Sequence, residues 1–148
     1  MNFGASFGIS ASALTAQRLR MDVISSNIAN AETTRASVVD GKAVPYRRKL
    51  VVLESADNNS FSNILNSKMN GASDGVKVQS IIEDSSPLKP VYNPAHPDAD
   101  AEGYVYMPNV DITKEMVDML SASRSYEANV TMLNASKAMV TKALEIGR

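Results

Sequence analysis

Residues 111–146 read DITKEMVDMLSASRSYEANVTMLNASKAMVTKALEI, and this stretch decides the fold. Alternate steps of four and three residues reach ten positions, eight of them apolar: Ile112, Met116, Met119, Ser123, Tyr126, Val130, Leu133, Lys137, Val140 and Leu144. Such a heptad pattern predicts a helix with one apolar seam. Asp111 can cap its first turn, where Glu115 and Asp118 suit the positive end of the helix dipole. At roughly 1.5 Å per residue the helix is about 50 Å long, more than a compact domain of this size covers alone.

A second apolar stripe lies near the start of the chain and predicts a helix over residues 1–31. Its large apolar residues recur every seven positions or lie beside that row: Phe7, Leu14, Met21, Ile24 and Ile28. No charged residue precedes Arg18, and two glycines and several serines lower the helix propensity there. We therefore expect the first turns to be frayed in the isolated chain and ordered by a partner.

The middle of the chain, residues 32–110, predicts strands and loops. Apolar and β-branched runs predict three strands, at residues 46–54, 76–83 and 103–107. Residues 55–75 are rich in Asn, Ser and Gly and predict a variable loop. Prolines between positions 87 and 97 exclude a helix there. The sequence thus predicts an α+β fold in three parts, 1–31, 32–110 and 111–148, with its two long terminal helices paired as a coiled coil around a β-rich or extended middle region.

The outer faces of the helices bear on function. A helical hairpin within one chain would satisfy both seams, and that pairing is compatible with assembly. Residues 128–136 carry no charge on any face, however, and neither does the first half of the N-terminal helix. A solvated coiled coil normally carries Glu and Lys at its outer positions. Small neutral residues there allow further helices to approach, which favours a structural subunit that is incomplete until its neighbours bind.

Composition excludes several classes of function. The 15 basic and 16 acidic residues nearly cancel, so nothing indicates a nucleic-acid or anionic-membrane partner. Cysteine is absent, which excludes disulfides, thiolate metal sites and a cysteine nucleophile. No window holds the roughly 18 apolar residues of a membrane span. The first residues after Met1 do not form a basic segment with an apolar segment behind it, so we expect no cleaved secretory signal.

Candidate catalytic and metal-binding residues are few. His96 is the single histidine and lies among prolines, so we interpret it as a loop residue. Residues 98–109 begin like a calcium loop, but Asn109 stands at the twelfth position, where a bidentate Glu is needed. The basic run at residues 47–49 alternates between strand faces, which favours interface salt bridges over a phosphate site. We predict no catalytic residue, cofactor or metal, and no enzyme.

Several segments resemble the axial proteins of the bacterial flagellum. Residues 26–34, SNIANAETT, contain the Asn-Ile-Ala-Asn signature of that family. The proximal-rod members of the basal body are similar in further motifs: PYRR at 45–48, YNPAHPD at 92–98, GYVYMPNVD at 103–111, EM at 115–116 and RSYEAN at 124–129. Many axial proteins follow the signature with Thr-x-Gly-Tyr, whereas Thr33 here leads to TRA. That departure weakens a resemblance to hook or distal-rod proteins.

The resemblance implies a structural subunit of the proximal rod, the periplasm-spanning drive shaft that transmits motor torque. It implies export through the flagellar type III apparatus without a cleaved signal, and localisation in the basal body. The implied partners are other proximal- and distal-rod proteins, the rod–MS-ring adaptor and copies of the chain itself. We expect no nucleic acid, small-molecule substrate or direct membrane insertion. The alternative is a soluble helical-hairpin adaptor or export chaperone of a secretion system, which would form a discrete dimer.

The predicted assembly residues come from both helices. Asn27 and Asn30 lie where the first helix should end, and their amides can cap terminal carbonyls or bridge to a strand; a role as generic loop residues stays open. Asn129 can set helix register, while Arg124 and Glu127 can pair within the helix. The full predicted set is Phe7, Leu14, Met21, Ile24, Asn27, Ile28, Asn30, Met116, Met119, Arg124, Tyr126, Glu127, Asn129, Val130, Leu133, Val140 and Leu144.

Overall fold

A computed structural model of the protein describes residues 3–39, 42–56 and 75–146. Two long helices, α1 (Phe3–Ala29) and α2 (Ile112–Ile146), lie at the two ends of this part of the chain. Between them the described residues form six short strands in three separate two-stranded sheets. The predicted α+β class, with a helix at each end and strands between them, is confirmed.

Each of the three sheets is antiparallel. β1 (Ser37–Val39) pairs with β2 (Lys42–Val44), β3 (Lys49–Ser55) with β4 (Val76–Glu83), and β5 (Lys89–Tyr92) with β6 (Tyr104–Met107). β4 has the predicted bounds, β6 begins one residue later than predicted, and β3 begins three residues later. The sequence did not predict the short strands β1, β2 and β5, of which β1 and β5 are exposed throughout and β2 is half-buried at two of its three residues. Most of the predicted loop at 55–75 lies outside the described residues.

The helices α1 and α2 pack against each other. Asn27, near the end of α1, contacts Glu115 in the first turn of α2, so the two helices run antiparallel. At about 1.5 Å per residue, α1 is about 40 Å long and α2 about 52 Å. The end of α2 therefore extends beyond α1, and residues 141–145 are all exposed. Neither helix has a stretch long and apolar enough to cross a membrane in the part of the chain that the structure describes.

The packed seam of α2 differs from the predicted one. Its deepest residues are Glu115, Ala122 and Ser136, which are 1%, 1% and 9% exposed, and each lies one position before a predicted seam residue. Met116 and Leu144 of the predicted seam are 58% and 71% exposed, so they are not packed against α1 in the single chain. A heptad drawn through the largest apolar residues overlooks two facts: closely approaching helices favour small side chains, and a buried carboxylate can be paired. Coiled-coil geometry stays a prediction.

The buried face of α1 is also rotated from the predicted stripe. The residues that α1 buries most deeply are Ala16, Val23, Ile24 and Asn27, and Ile24 alone among them belongs to the predicted apolar row. The other members of that row are half-buried: Phe7, Leu14, Met21 and Ile28. The middle of the helix pair thus has small and β-branched residues at its centre, and a polar residue where α1 approaches its end.

Candidate functional site

The end of α1 is tied to the strands by one side chain. Asn27 is 1% exposed and uses every hydrogen-bonding position of its amide. Its Oδ1 accepts bonds from the Tyr46 hydroxyl and the Lys49 backbone N–H, both at 2.9 Å. Its Nδ2 donates to the Lys49 carbonyl at 2.9 Å and to Glu115 Oε2 at 3.0 Å. Because Asn27 pairs with both backbone groups of Lys49, it occupies the place that a neighbouring strand would take beside β3.

Glu115 continues this connection from α2. Arg48 Nε donates to Glu115 Oε1 at 2.6 Å, and the same guanidinium lies 3.4 Å from Asp118 and 3.7 Å from Asp84. The Arg48 side chain is 13% exposed and that of Glu115 only 1%. Both carboxylate oxygens of Glu115 are therefore hydrogen-bonded, which is what a buried charge requires. The sequence predicted interface salt bridges from the basic run at 47–49, but Arg48 forms its ion pairs inside the chain.

Asn109, just before α2, completes the connection from the other side. Its Oδ1 accepts a 2.8 Å bond from the Arg48 backbone N–H, and its Nδ2 donates to the carbonyls of Asp84 and Ser86 at 3.3 Å. Ser86 also donates hydrogen bonds to Asp84 that, with Arg48 nearby, hold the pKa of the Asp84 carboxyl below its usual value. These contacts join the end of β4 to the start of α2.

We call the core of this network the joint: Asn27, Tyr46, Arg48, Asn109 and Glu115. It fixes the end of α1, the start of β3, the end of β4 and the first turn of α2 to one another. Hydrogen bonds and ion pairs are directional, so they hold these elements in one relative position.

A second connection holds the segment after α1. Asp98, in the loop between β5 and β6, accepts hydrogen bonds from Arg35 Nε at 3.0 Å and Thr34 Oγ1 at 2.9 Å. The Arg35 bond first, and then the Thr34 bond, lower the pKa of Asp98 from its usual value. His96 Nδ1 accepts a 3.1 Å bond from the Asp98 backbone N–H. This loop therefore serves as a fastening for the chain that leaves α1.

The loop that resembled a calcium site is built as a turn. The Asp100 side chain accepts hydrogen bonds from the backbone N–H groups of Glu102 and Tyr104 at 3.0 and 2.9 Å. Gly103 has a φ of 82°, a conformation that favours glycine. Across residues 3–39, 42–56 and 75–146 no three His, Asp or Glu side chains are grouped to hold a metal ion.

The other predicted residues lie along the helices and are not part of the joint. Six residues of α2 are half-buried: Met119, Tyr126, Asn129, Val130, Leu133 and Val140. Arg124 and Glu127 form the predicted pair at 3.1 Å, with both side chains exposed. Asn30 Nδ2 donates to the Ser26 carbonyl and caps α1, while Asn129 Nδ2 donates to the Ser125 carbonyl of its own helix. Of the predicted residues only Asn27 belongs to the joint.

The outer face of α2 carries large apolar side chains in contact with solvent. Four of these are Val117, Leu120, Met132 and Met139, at 63%, 60%, 62% and 54% exposure. Leu144, 71% exposed, lies instead in the part of α2 that extends beyond α1. Isolated exposed apolar residues are common, but a row of them along one helix is typical of a surface that binds another protein. The chain therefore presents a rigid joint at one end of the helix pair and an apolar surface along it.

Similarity to known proteins covers both helices and the joint. A family model described as "Flagella basal body rod protein" matches residues 7–36, and one described as "Flagellar basal body rod FlgEFG protein C-terminal" matches residues 101–146. The chain is 62% identical over 146 residues to the flagellar basal-body rod protein FlgC of Bacillus subtilis, with 97% of each chain covered. FlgC of Borreliella burgdorferi is 48% identical over 153 residues, which cover 99% of this chain and 98% of the relative.

FlgC of Escherichia coli O6:H1 is 47% identical over 142 residues, 96% of each chain. These three relatives are named rod proteins, and the alternative of an adaptor or export chaperone finds no support among them. At these identities and coverages, the chain belongs to the FlgC family of flagellar basal-body rod proteins.

Proposed function

We propose that this chain is a structural subunit of the proximal rod of the bacterial flagellum, assembling through its terminal helices into the shaft that transmits motor torque. The observation that carries the assembly role is the exposed apolar surface of α2: a row on its outer face, and Leu144, 71% exposed, in the part of α2 that extends beyond α1. Val117, Leu120, Met132 and Met139 lie on the opposite side of α2 from its half-buried seam positions. Burying them against neighbouring subunits would contribute about 25 cal/mol per Å² of apolar surface.

The joint gives this subunit its mechanical role. A torque-bearing subunit must keep its helices and its middle region in a constant relation, and the joint links the two by buried, directional bonds. Asn27 and Arg48 are the residues through which α1 and α2 reach the strands. Load applied to the middle region passes through them to the helix pair.

Pairing of α1 with α2 has coiled-coil geometry in this proposal. Four α2 residues spaced by seven are half-buried and form its seam: Met119, Tyr126, Leu133 and Val140. The remaining predicted assembly residues contribute to contacts between subunits. Met116 and Leu144 are exposed in the single chain, so a neighbouring subunit can contact them.

The proposed partners are other proximal- and distal-rod proteins, the rod–MS-ring adaptor and further copies of this chain. The proposed location is the periplasmic rod of the basal body. The chain reaches it through the flagellar type III export apparatus without cleavage of a signal. A structural role of this kind requires no catalytic residue or cofactor.

The test uses cells in which a tagged copy replaces the native gene. Purified basal bodies are probed for the chain, and swimming is measured in soft agar. We expect the wild-type chain in basal bodies and Leu144→Asp excluded from them with unchanged monomer stability, because Leu144 is exposed in the single chain. Thr141→Asp, also exposed, is the matched control and should assemble normally. Swimming cells whose basal bodies lack the wild-type chain would contradict the proposal.

A further inference from the structure

One face of the β5–β6 ribbon is aromatic and uncovered. Tyr92 lies opposite Tyr104, and Pro90 opposite Tyr106, so these four side chains share a face. The three tyrosines are 66%, 39% and 48% exposed, and the rings of Tyr92 and Tyr104 meet edge to face at 5.4 Å. Val105, on the opposite face, is 3% exposed. Val91, on the same opposite face, is 46% exposed. The ribbon thus buries Val105 and turns its tyrosine face, as we call these four residues, to solvent.

The turn beside the tyrosine face is acidic. Asp100 and Glu102 are both exposed, and neither forms an ion pair within the described residues. Asp98, by contrast, is neutralised by Arg35. We call Asp100 and Glu102 the acidic tip. The ribbon accordingly presents a negative end followed by an aromatic surface.

A cleft of about 280 Å³ lies between α1 and β3, next to the joint. Apolar and cationic residues make up most of its wall: Arg20, Val23, Ile24, Lys49, Leu50 and Leu53. Glu115 and Asp118 also line it, but Arg48 engages both carboxylates. Arg20 and Lys49 form no ion pair among the residues described. Lys49 Nζ lies 5.7 Å from the centroid of the Tyr46 ring. The cleft is therefore largely apolar, with two cations that pair with no carboxylate among the described residues.

We propose that the tyrosine face and acidic tip of one copy dock in this cleft of a second copy. Aromatic side chains with a polar hydroxyl suit an apolar wall beside cations, because the rings bury apolar area and attract Arg and Lys over their faces. The acidic tip complements Arg20 and Lys49, which fixes the orientation. Because the two surfaces differ, each copy can bind one neighbour through its cleft and another through its ribbon. Such a head-to-tail contact extends a polymer, so the inference rests on the assembly proposed above.

Cross-linking between singly substituted copies tests this contact directly, since the natural chain has no cysteine. Cells lacking the native gene produce Leu53→Cys and Tyr106→Cys together, and their basal bodies are treated with a short bis-maleimide. A dimer that requires both variants is the expected product. Val91→Cys replaces Tyr106→Cys in the matched control: it lies in the same ribbon on the opposite face, and its yield should be several-fold lower.

Charge reversal supplies a second measurement. Arg20→Glu and Glu102→Arg, each added to the cysteine pair, should lower the dimer yield about three- to tenfold, since each turns an exposed attraction into a repulsion. The double reversal should restore the yield to within about twofold of the parent pair. Far-UV circular dichroism of the purified variants verifies folding.

The outcomes separate this contact from the assembly role. If both cysteine variants are present in basal bodies and no mixed dimer forms, the contact is refuted while the rod assignment stands. Equal dimer yields from Tyr106→Cys and Val91→Cys, or a double reversal no better than the single ones, also refute it. Absence of the wild-type chain from basal bodies would overturn both proposals.

Discussion

Replacing Asn27 by Asp tests the joint with a change of almost no volume. The substitution removes both N–H donors of the amide, so the Lys49 carbonyl and Glu115 Oε2 each face an oxygen instead. The two bonds that Oδ1 accepts, from Tyr46 and from the Lys49 N–H, can persist. Any effect therefore reports the lost donors and the added charge, and not a cavity.

The magnitude follows from burial. A buried carbonyl left without a donor costs about 1–3 kcal/mol. A second carboxylate about 3 Å from Glu115, with Arg48 as their shared cation, adds the penalty of a buried charge without its own partner, about 3–5 kcal/mol if nothing relaxes. Rotation of the side chain and entry of water reduce this sum, so we expect Asn27→Asp to lower the free energy of unfolding by about 4 kcal/mol. That is a large share of the roughly 5–15 kcal/mol of a typical domain.

Urea unfolding of the purified chain, followed by far-UV circular dichroism, measures this loss. Asn30→Asp is the matched control, because the half-buried Asn30 amide donates one bond, to the Ser26 carbonyl, and should lose only about 1 kcal/mol. A loss below about 1 kcal/mol at Asn27, or one no larger than at Asn30, would refute the idea that the joint stabilises the fold through this amide.

Three further changes test other parts of the molecule. Leu133→Asp puts a carboxylate into the half-buried seam of α2 and should lower the free energy of unfolding by on the order of 3 kcal/mol and abolish motility; rods that still assemble would show that Leu133 does not lie in the seam. Asp98→Asn removes a carboxylate whose pKa is lowered by Arg35 and Thr34, so the wild type should melt higher above about pH 4, and the two melting temperatures should converge as the pH falls through the lowered pKa. A gap that widens in acid would contradict this. Gln17→Met removes a buried oxygen that has no hydrogen-bond partner in the described chain. It should raise the free energy of unfolding by about 1 kcal/mol, and with it the urea midpoint. A lower midpoint would mean that a water or side chain donates a hydrogen bond to that oxygen.

Periodicity in the sequence predicted the helices better than it predicted their packing. The heptad along residues 112–144 is long and regular, which is why α2 was predicted almost to the residue. Which side of that pattern faces α1 depends on the partner helix, and large apolar residues are a poor guide where closest approach requires Ala122 and Ser136. The short strands β1 and β5 have no such pattern, since both of their faces are mostly exposed.

The joint could be predicted only in part. The sequence indicated Asn27 because an amide at a helix end can cap terminal carbonyls or bridge to a strand, and because Asn27 belongs to the Asn-Ile-Ala-Asn signature. Arg48 and Glu115 also lie in motifs of the resemblance, PYRR and EM, but their own chemistry indicated other roles: an interface salt bridge for Arg48, and for Glu115 a favourable place near the positive end of the helix dipole. Arg48 and Glu115 lie 67 positions apart in the chain, and only the fold brings these two residues together.

Register is the property that the seam alone does not provide. Its half-buried residues repeat every seven positions, so sliding α2 by one heptad, about 10 Å, would present a similar surface to α1. The same slip would carry Glu115 away from Asn27 and Arg48 and leave buried charges unpaired, at a cost of several kcal/mol. Apolar contact thus supplies most of the attraction between the helices, whereas the joint selects one alignment. A shaft that turns under load needs that alignment in every copy, because a single slipped subunit would misplace both its cleft and its tyrosine face.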